Sequence, residues 1–360
     1  MKVVVYAICK NEAQFVERWA ASMKEADQIV VLDTGSTDDT VQKLQQQGVR
    51  VTQEMISPWR FDVARNRSLE LVPTDADICV CTDLDEVFSP GWRNLLEQAW
   101  GQGVTQAAYR YTWSFGEGGQ EGVVFWIEKA HSRHGYQWTH PVHEVLQWVE
   151  ENQPGRKVMV EGMQLNHYPD HSKSRGQYLP LLEQSVLEDP DDDRNMHYLG
   201  REYMYQGNWD ACIATLQRHL QMPSATWADE RAASMRYMAK AYKKKGDVQT
   251  ARWWYLKAIT EAPHLREPYM DLAWMLYEQQ DWDGVLYFTS CALQITERPR
   301  TYICEERAWG NMPYDLRTIA LYRTGRYEES LKAVKKALEY APDNKRLLGN
   351  LELIQKKISD

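Results

Sequence analysis

Three hundred and sixty residues exceed the size at which one hydrophobic core usually keeps growing, so two domains are expected. Hydrophobic residues at 43% and charged ones at 26% exclude a disordered chain, and no apolar run approaches the roughly 20 residues that cross a bilayer. A net charge of −9, with no basic excess in either half, excludes the general positive field of a nucleic-acid binder and leaves only a local patch.

The opening MKVVVYAICKNEA holds an apolar stretch about one strand long, ended by Lys10, Asn11 and Glu12. It lacks a signal-peptide core and cleavage site. The six cysteines are scattered without a CxxC pair, and the expectation is a cytoplasmic protein with reduced thiols. Residues 2–7 read as a buried strand and 11–24 as a helix with Phe15, Val16, Trp19, Ala20 and Met23 on one face. A second strand, 28–32, runs into the turn residues Asp33-Thr34-Gly35-Ser36-Thr37-Asp38. A helix at 39–47 follows, closed by Gly48. Strands at 49–53 and 77–81 flank a helix at 61–71, which predicts a mostly parallel α/β sheet covered by helices. From about 107 to 168 the texture turns β-rich and aromatic, so antiparallel additions are expected. Fifteen Trp against six Phe leaves two readings open, flat platforms for sugars or packing knobs of a repeat.

The second half is helical and repetitive. Residues 198–219, 232–262, 268–295 and 314–341 each read as helix, polar turn, helix, with turns centred on Gly207, Gly246, Gln280 and Gly325. The steps between turns are 39, 34 and 45 residues, close to the ~34 of tetratricopeptide repeats. Ala239, Ala258, Ala273, Ala292, Ala320 and Ala337 fall where close helix crossings need a small side chain, and 296–313 reads as an insertion. The expected organisation is a sheet domain at 1–174, a connecting helix at 175–194 and a repeat domain at 195–360.

Acids stand where the strands end. Open parallel sheets bind ligands beyond the strands' carboxyl ends, and here those ends carry Asn11-Glu12, Asp33 and Asp83-Leu84-Asp85-Glu86. Neither GxGxxG nor a P-loop is present. Acids in place of glycines point to a phosphate ligand bridged by a hard cation, Mg²⁺ or Mn²⁺. Asp33 has a second reading as the cap of the following helix, a role Asp38 could equally fill.

The segments ICKNEAQFVERW, VVLDTGSTDDT, FDVARNRSLE and CTDLDEVF, in this order and spacing, resemble family-2 glycosyltransferases of the GT-A fold. The narrower resemblance is to the bacterial and phage branch in which tetratricopeptide repeats follow the transferase domain. That resemblance implies a metal-dependent hexosyltransferase that inverts the anomeric carbon of a nucleoside-diphosphate sugar, UDP favoured. It implies that Asp33 meets the nucleoside, with Asn11 and Glu12 flanking the same pocket. Arg65 and Asn66 would lie beside the nucleotide and its diphosphate. Asp83 and Asp85 match the DxD motif, Asp85 as metal ligand and Asp83 toward ribose or sugar, and Glu86 extends the motif. His167 in LNHYPD falls where a late histidine completes the metal site. Glu144 in WTHPVHEVL resembles the general base, although the family pairs that acid with Asp and here its neighbours are His143 and Val145.

Six of nine histidines lie in 131–171. Their spacing invites zinc, but Pro141 keeps His140 and His143 off one helix and no Cys lies nearby. SFGEGGQEG reads either as a lid over the donor or as a hairpin turn. The acceptor is expected to be a hydroxyl or thiol of a peptide or protein held in the repeats, through which the chain could also self-associate. The rivals are hydroxymethylated DNA, reached through Lys243-Lys244-Lys245 and Arg298, Arg300 and Arg307, and a non-catalytic repeat scaffold.

Overall fold

The computed structural model describes residues 1–116, 119–170 and 176–359, and the chain divides into two compact units, Met1–Glu188 and Asp189–Asp360. The first unit runs β1 (Val3–Cys9), α1 (Val16–Met23), β2 (Gln28–Asp33), α2 (Thr40–Gln46), β3 (Arg50–Gln53), α3 (Phe61–Glu70), β4 (Ile78–Thr82), β5 (Glu86–Phe88), α4 (Trp92–Ala99), β6 (Gln106–Thr112), β7 (Val124–Ser132), β8 (Tyr136–Thr139), β9 (Val145–Trp148), β10 (Lys157–His167) and α5 (Tyr178–Glu188). Eight strands form one sheet in the order β3-β2-β1-β4-β7-β6-β10-β5, and β8 pairs with β9 separately.

Strands β1, β2, β3 and β4 are mutually parallel. β7 lies antiparallel to both β4 and β6, so β6 and its parallel partner β10 point the same way as the first four. Every one of these six strands therefore delivers its carboxyl end to one edge of the sheet. The alternation of β1 explains the layers: Val3, Val5 and Ala7 pack with Trp19, Met23, Leu44 and Trp92, while Val4 and Tyr6 pack with Leu69 and Trp138 on the other face.

The expected helix 11–24 begins only at Val16, because Asn11 takes a left-handed backbone with φ 54°. Its amide donates to Ser36 Oγ at 2.8 Å, and its side-chain oxygen accepts from the Thr37 amide at 2.7 Å. The antiparallel additions expected after residue 107 are β7, β8 and β9.

The second unit pairs α6 (Asp193–Tyr205) with α7 (Trp209–Gln221), α8 (Ala228–Lys244) with α9 (Val248–Glu261), α10 (Arg266–Glu278) with α11 (Trp282–Gln294), and, after the short α12 (Glu306–Trp309), α13 (Met312–Arg323) with α14 (Tyr327–Tyr340). A last helix, α15 (Lys345–Ser359), was not anticipated from the sequence. The hairpins share one turn. Gly207, Gly246, Gln280 and Gly325 all adopt positive φ, from 60° to 86°, and Asn208, Asp247 and Asp281 then cap the next helix by accepting an amide three residues on. The six alanines picked out at the crossings are fully buried. This is an all-α array of tetratricopeptide type. The insertion packs back onto α8 and α10, where the buried Arg236 pairs with Asp271 at 2.8 Å and Glu305 at 2.7 Å, and Trp309 Nε1 donates to Glu267. Among the described residues no helix is long and apolar enough to cross a membrane.

Candidate active site

The shared carboxyl edge gathers the acids, and hydrogen bonding decides which of them are spoken for. Asp33 is fully buried at the end of β2. Its carboxylate accepts the amides of Gly35 at 3.3 Å and Ser36 at 3.1 Å, and Gln53 Nε2 at 3.3 Å. It does not cap α2. Asp38 instead takes the Thr40 amide at 3.0 Å and ties it to the Ala13 amide. Glu12 is buried, and its amide donates to Thr40 Oγ1 at 2.8 Å. Asn11, Glu12 and Asp33 thus stand together where β1 and β2 end.

The turn after β4 is held from beneath by Glu86. One of its oxygens accepts the Asp83 amide at 2.8 Å, and the other accepts Tyr111 Oη at 2.8 Å and Lys129 Nζ at 2.9 Å. Lys129 also reaches Asp83 at 3.0 Å. From the opposite side the buried Arg65 donates Nη2 to Asp83 at 2.9 Å and Nε to Glu144 at 2.5 Å, so one guanidinium links the DxD turn to the acid ahead of β9. Burial by itself would raise the Asp83 carboxyl, but Arg65 and Lys129 overcome it and hold the group well below the usual carboxylate range. Burial likewise opposes the charges of Arg65 and Lys129, and their acidic partners outweigh it. Glu86 goes the other way, its carboxyl raised because burial prevails over Lys129.

Asp85 points to the strand β10. Its Oδ2 lies 3.4 Å from His167 Nε2, and the antiparallel pairing of β5 with β10, which aligns Glu86 with His167, fixes that approach. His167 Nδ1 lies 2.9 Å from the Trp113 carbonyl. A proton donated there puts the lone pair on Nε2, the tautomer a metal ligand needs. Burial disfavours the imidazolium, and the Asp85 contact more than compensates, raising the pKa. The Trp113 ring stacks on His167 at 4.4 Å while 47% of the residue stays exposed. For a divalent cation the donor set fits: a buried imidazole and a carboxylate converge, and among the described residues no Lys or Arg forms an ion pair with Asp85.

Asn66 is engaged differently. Its amide brackets the Trp138 backbone, donating to the carbonyl at 2.8 Å and accepting the amide at 2.9 Å, and so pins β8 beside α3. His131 is a core residue. His134 lies 3.2 Å from the Thr74 carbonyl, and His140 and His143 carry left-handed backbones, φ 76° and 52°, on either side of Pro141-Val142. His171 and, within the glycine-rich run, Glu117 and Gly118 lie outside the described residues. Gly116 donates to the Gln120 carbonyl, and Phe115 bridges Glu121.

Lys129 escaped the sequence reading. Ala107 pairs with Ala130 and Tyr109 with Ile127, so Ala108 faces two residues of β7 and the strand bulges. The bulge reverses the alternation and turns Lys129 toward Asp83. A lysine inside VVFWIEKA was the available signal, but strict alternation would have misassigned its face.

Carboxylates, a histidine and two bridging cations line one edge of the sheet in this α/β unit. Residues 4–146, less than half of the chain, match the model of glycosyl transferase family 2. The first unit therefore carries a family-2 glycosyltransferase domain. Among solved structures, glucosyl-3-phosphoglycerate synthase from Mycobacterium tuberculosis, in complex with Mn²⁺, UDP and glucosyl-3-phosphoglycerate, is 26% identical over 31% of this chain and 44% of that one, with a TM-score of 0.27. MamA is 18% identical over 50% of this chain and 99% of its own (TM-score 0.38). YrrB, a TPR protein with an unusual peptide-binding site, is 13% identical over 49% and 84% (TM-score 0.39). No curated protein matches the chain.

Proposed function

We propose that the chain is an inverting, metal-dependent transferase moving a hexose from a nucleoside diphosphate, UDP favoured, to a hydroxyl or thiol of a peptide or protein. The observation that carries this reading is the DxD turn, locked by Glu86, Lys129 and Arg65 and offering Asp85 Oδ2 3.4 Å from His167 Nε2. Asp85 and His167 would hold Mn²⁺ or Mg²⁺. When bound, such a cation neutralises the charge that grows on a leaving diphosphate.

The remaining roles belong to the chain. Asn11, Glu12 and Asp33 form the rigid floor proposed for the nucleoside, since Asp33 fixes the 35–36 backbone. Asp83, kept ionised by two cations, is proposed to accept hydrogen bonds from ribose or sugar hydroxyls. Arg65, with Asn66 holding the adjacent strand, keeps Asp83 and Glu144 at a set separation. Glu144 is proposed to take the acceptor's proton, and the Arg65 contact orients its carboxylate for that step. The half-exposed Trp113 ring beside His167 supports a sugar-facing platform.

A peptide or protein acceptor agrees with the charge of the repeats. Lys243 pairs with Glu278, Lys245 with Asp210 and Arg307 with Asp271, so much of the basic surface the DNA reading needs is already neutralised. The insertion covers parts of α8 and α10, which leaves the other helix faces for the acceptor. The test is a thermal-shift panel of nucleotide sugars with and without Mn²⁺. One donor should stabilise the protein only when metal is present. Equal shifts without metal, or none with any donor, refute the reading.

A further inference from the structure

A second cluster of ligating side chains lies in the helical unit, remote in sequence from the DxD turn. His197 of α6, His219 of α7 and Glu230 of α8 are all buried, and one ligand atom from each lies within 4.8 Å of the others. His219 has no exposed surface, and its Nε2 lies 3.3 Å from Glu230 Oε1 yet makes no hydrogen bond among the described residues. A polar nitrogen so placed loses its water without recovering a hydrogen bond from any described residue. That separation also equals the edge, about 3.3 Å, of a tetrahedron with metal–ligand bonds near 2.0–2.1 Å.

The surroundings prepare the rings for the same task. Ser234 Oγ lies 2.7 Å from His197 Nδ1 and 3.0 Å from His219 Nδ1. A hydroxyl oxygen has two lone pairs, so it can accept an Nδ1–H from each ring, which puts the lone pair of both on Nε2. The Tyr302 hydroxyl donates to Oε2 of Glu230, leaving Oε1 turned to His219.

We propose that His197, His219 and Glu230 bind a divalent metal ion, zinc by ligand type, which clasps the first helical hairpin to α8. Two imidazoles and one carboxylate suit zinc, whereas Mg²⁺ and Ca²⁺ take oxygen ligands. Burial assigns the ion a structural role, and Ser234 is a positioning residue for both rings.

The full chain, produced in zinc-supplemented medium, should carry one zinc per chain by elemental analysis. Chelation should lower its melting temperature by about 5–10 °C, restored by zinc. Asp85→Ala should keep this zinc and His219→Ala should lose it, which separates the clasp from the DxD site. Should His219→Ala fail to fold, Ser234→Ala and the wild type decide: cobalt(II) should give the visible absorption of a tetrahedral ion in the wild type, with affinity about 10–100-fold weaker in Ser234→Ala. Absence of stoichiometric zinc or cobalt from the wild type overturns the proposal. So does zinc that is lost with Asp85 and kept without His219.

Discussion

His131 offers the sharpest test of the sheet's interior. It sits without solvent exposure on β7, its Nδ1 2.8 Å from the Ser132 carbonyl and its Nε2 2.7 Å from the Tyr6 hydroxyl, which in turn accepts Trp138 Nε1–H at 2.8 Å. This chain is satisfied only by a neutral ring that donates at Nδ1 and accepts at Nε2. Burial pushes the imidazole down to about 4, against an ordinary 6.5; the Ser132 bond opposes that shift and Arg133 adds to it. A histidine with a depressed folded pKa binds fewer protons than the unfolded chain between those two values. Its contribution to stability is complete above pH 6.5, is lost as pH falls and levels off below about 4. The full swing is about 3 kcal/mol, with about 2 kcal/mol already lost at pH 5. His131→Gln removes the titration, so the stability gap between wild type and variant should shrink by about 2 kcal/mol from pH 7.5 to 5. Urea denaturation reads the gap, with amide exchange along β1, β4 and β7 assigning the transition to the first unit. Parallel pH profiles, or a His131 ring resonance that titrates near 6.5, refute the reasoning.

Asp85→Ala should abolish the Mn²⁺-dependent part of nucleotide-sugar binding by calorimetry while the ligand-free melting temperature changes little, because among the described residues Asp85 makes no ion pair with a Lys or Arg. Glu144→Gln keeps shape and the Arg65 contact, so donor binding should persist and turnover should fall on the order of 10²–10⁴-fold; near-wild-type turnover would remove Glu144 as the base. Gln280→Gly should stabilise the repeats by about 0.5–1 kcal/mol, since Gln280 holds φ 60° where its sister turns have glycine, and Gly246→Gln should destabilise by a similar amount. Midpoints that shift in the same direction for both contradict the shared turn geometry.

The residues that show where sequence reading works are those whose role follows from a local rule. Apolar runs of strand length placed β1, β2 and β4, and the strands' common direction then carried Asp33, Asp85 and His167 to one edge. The glycine–acid turns of the repeats were legible for a similar reason: a left-handed residue followed by an N-cap is a two-residue pattern. Asn11 broke the first helix because its left-handed backbone answers to Ser36 and Thr37, twenty-five residues away, and no window centred on 11–24 contains them.

Partner choice is where the reading stops, and β7 shows why. Lys129 and His131 stand two apart on one strand and look alike as polar intrusions in an apolar run. One neutralises Asp83 and Glu86; the other is a neutral link between Tyr6 and Ser132. What separates them is the bulge between Ile127 and Ala130 and the identity of the strand alongside, both set by tertiary pairing. Beside Lys129 lies the end of β4 and its acids; beside His131 lies the strand's interior, where a charge has no partner. The same strand can therefore supply a cation at the sheet's carboxyl edge and a core imidazole, because the chemistry of each position is decided by its height along β4 and not by its own neighbours in sequence.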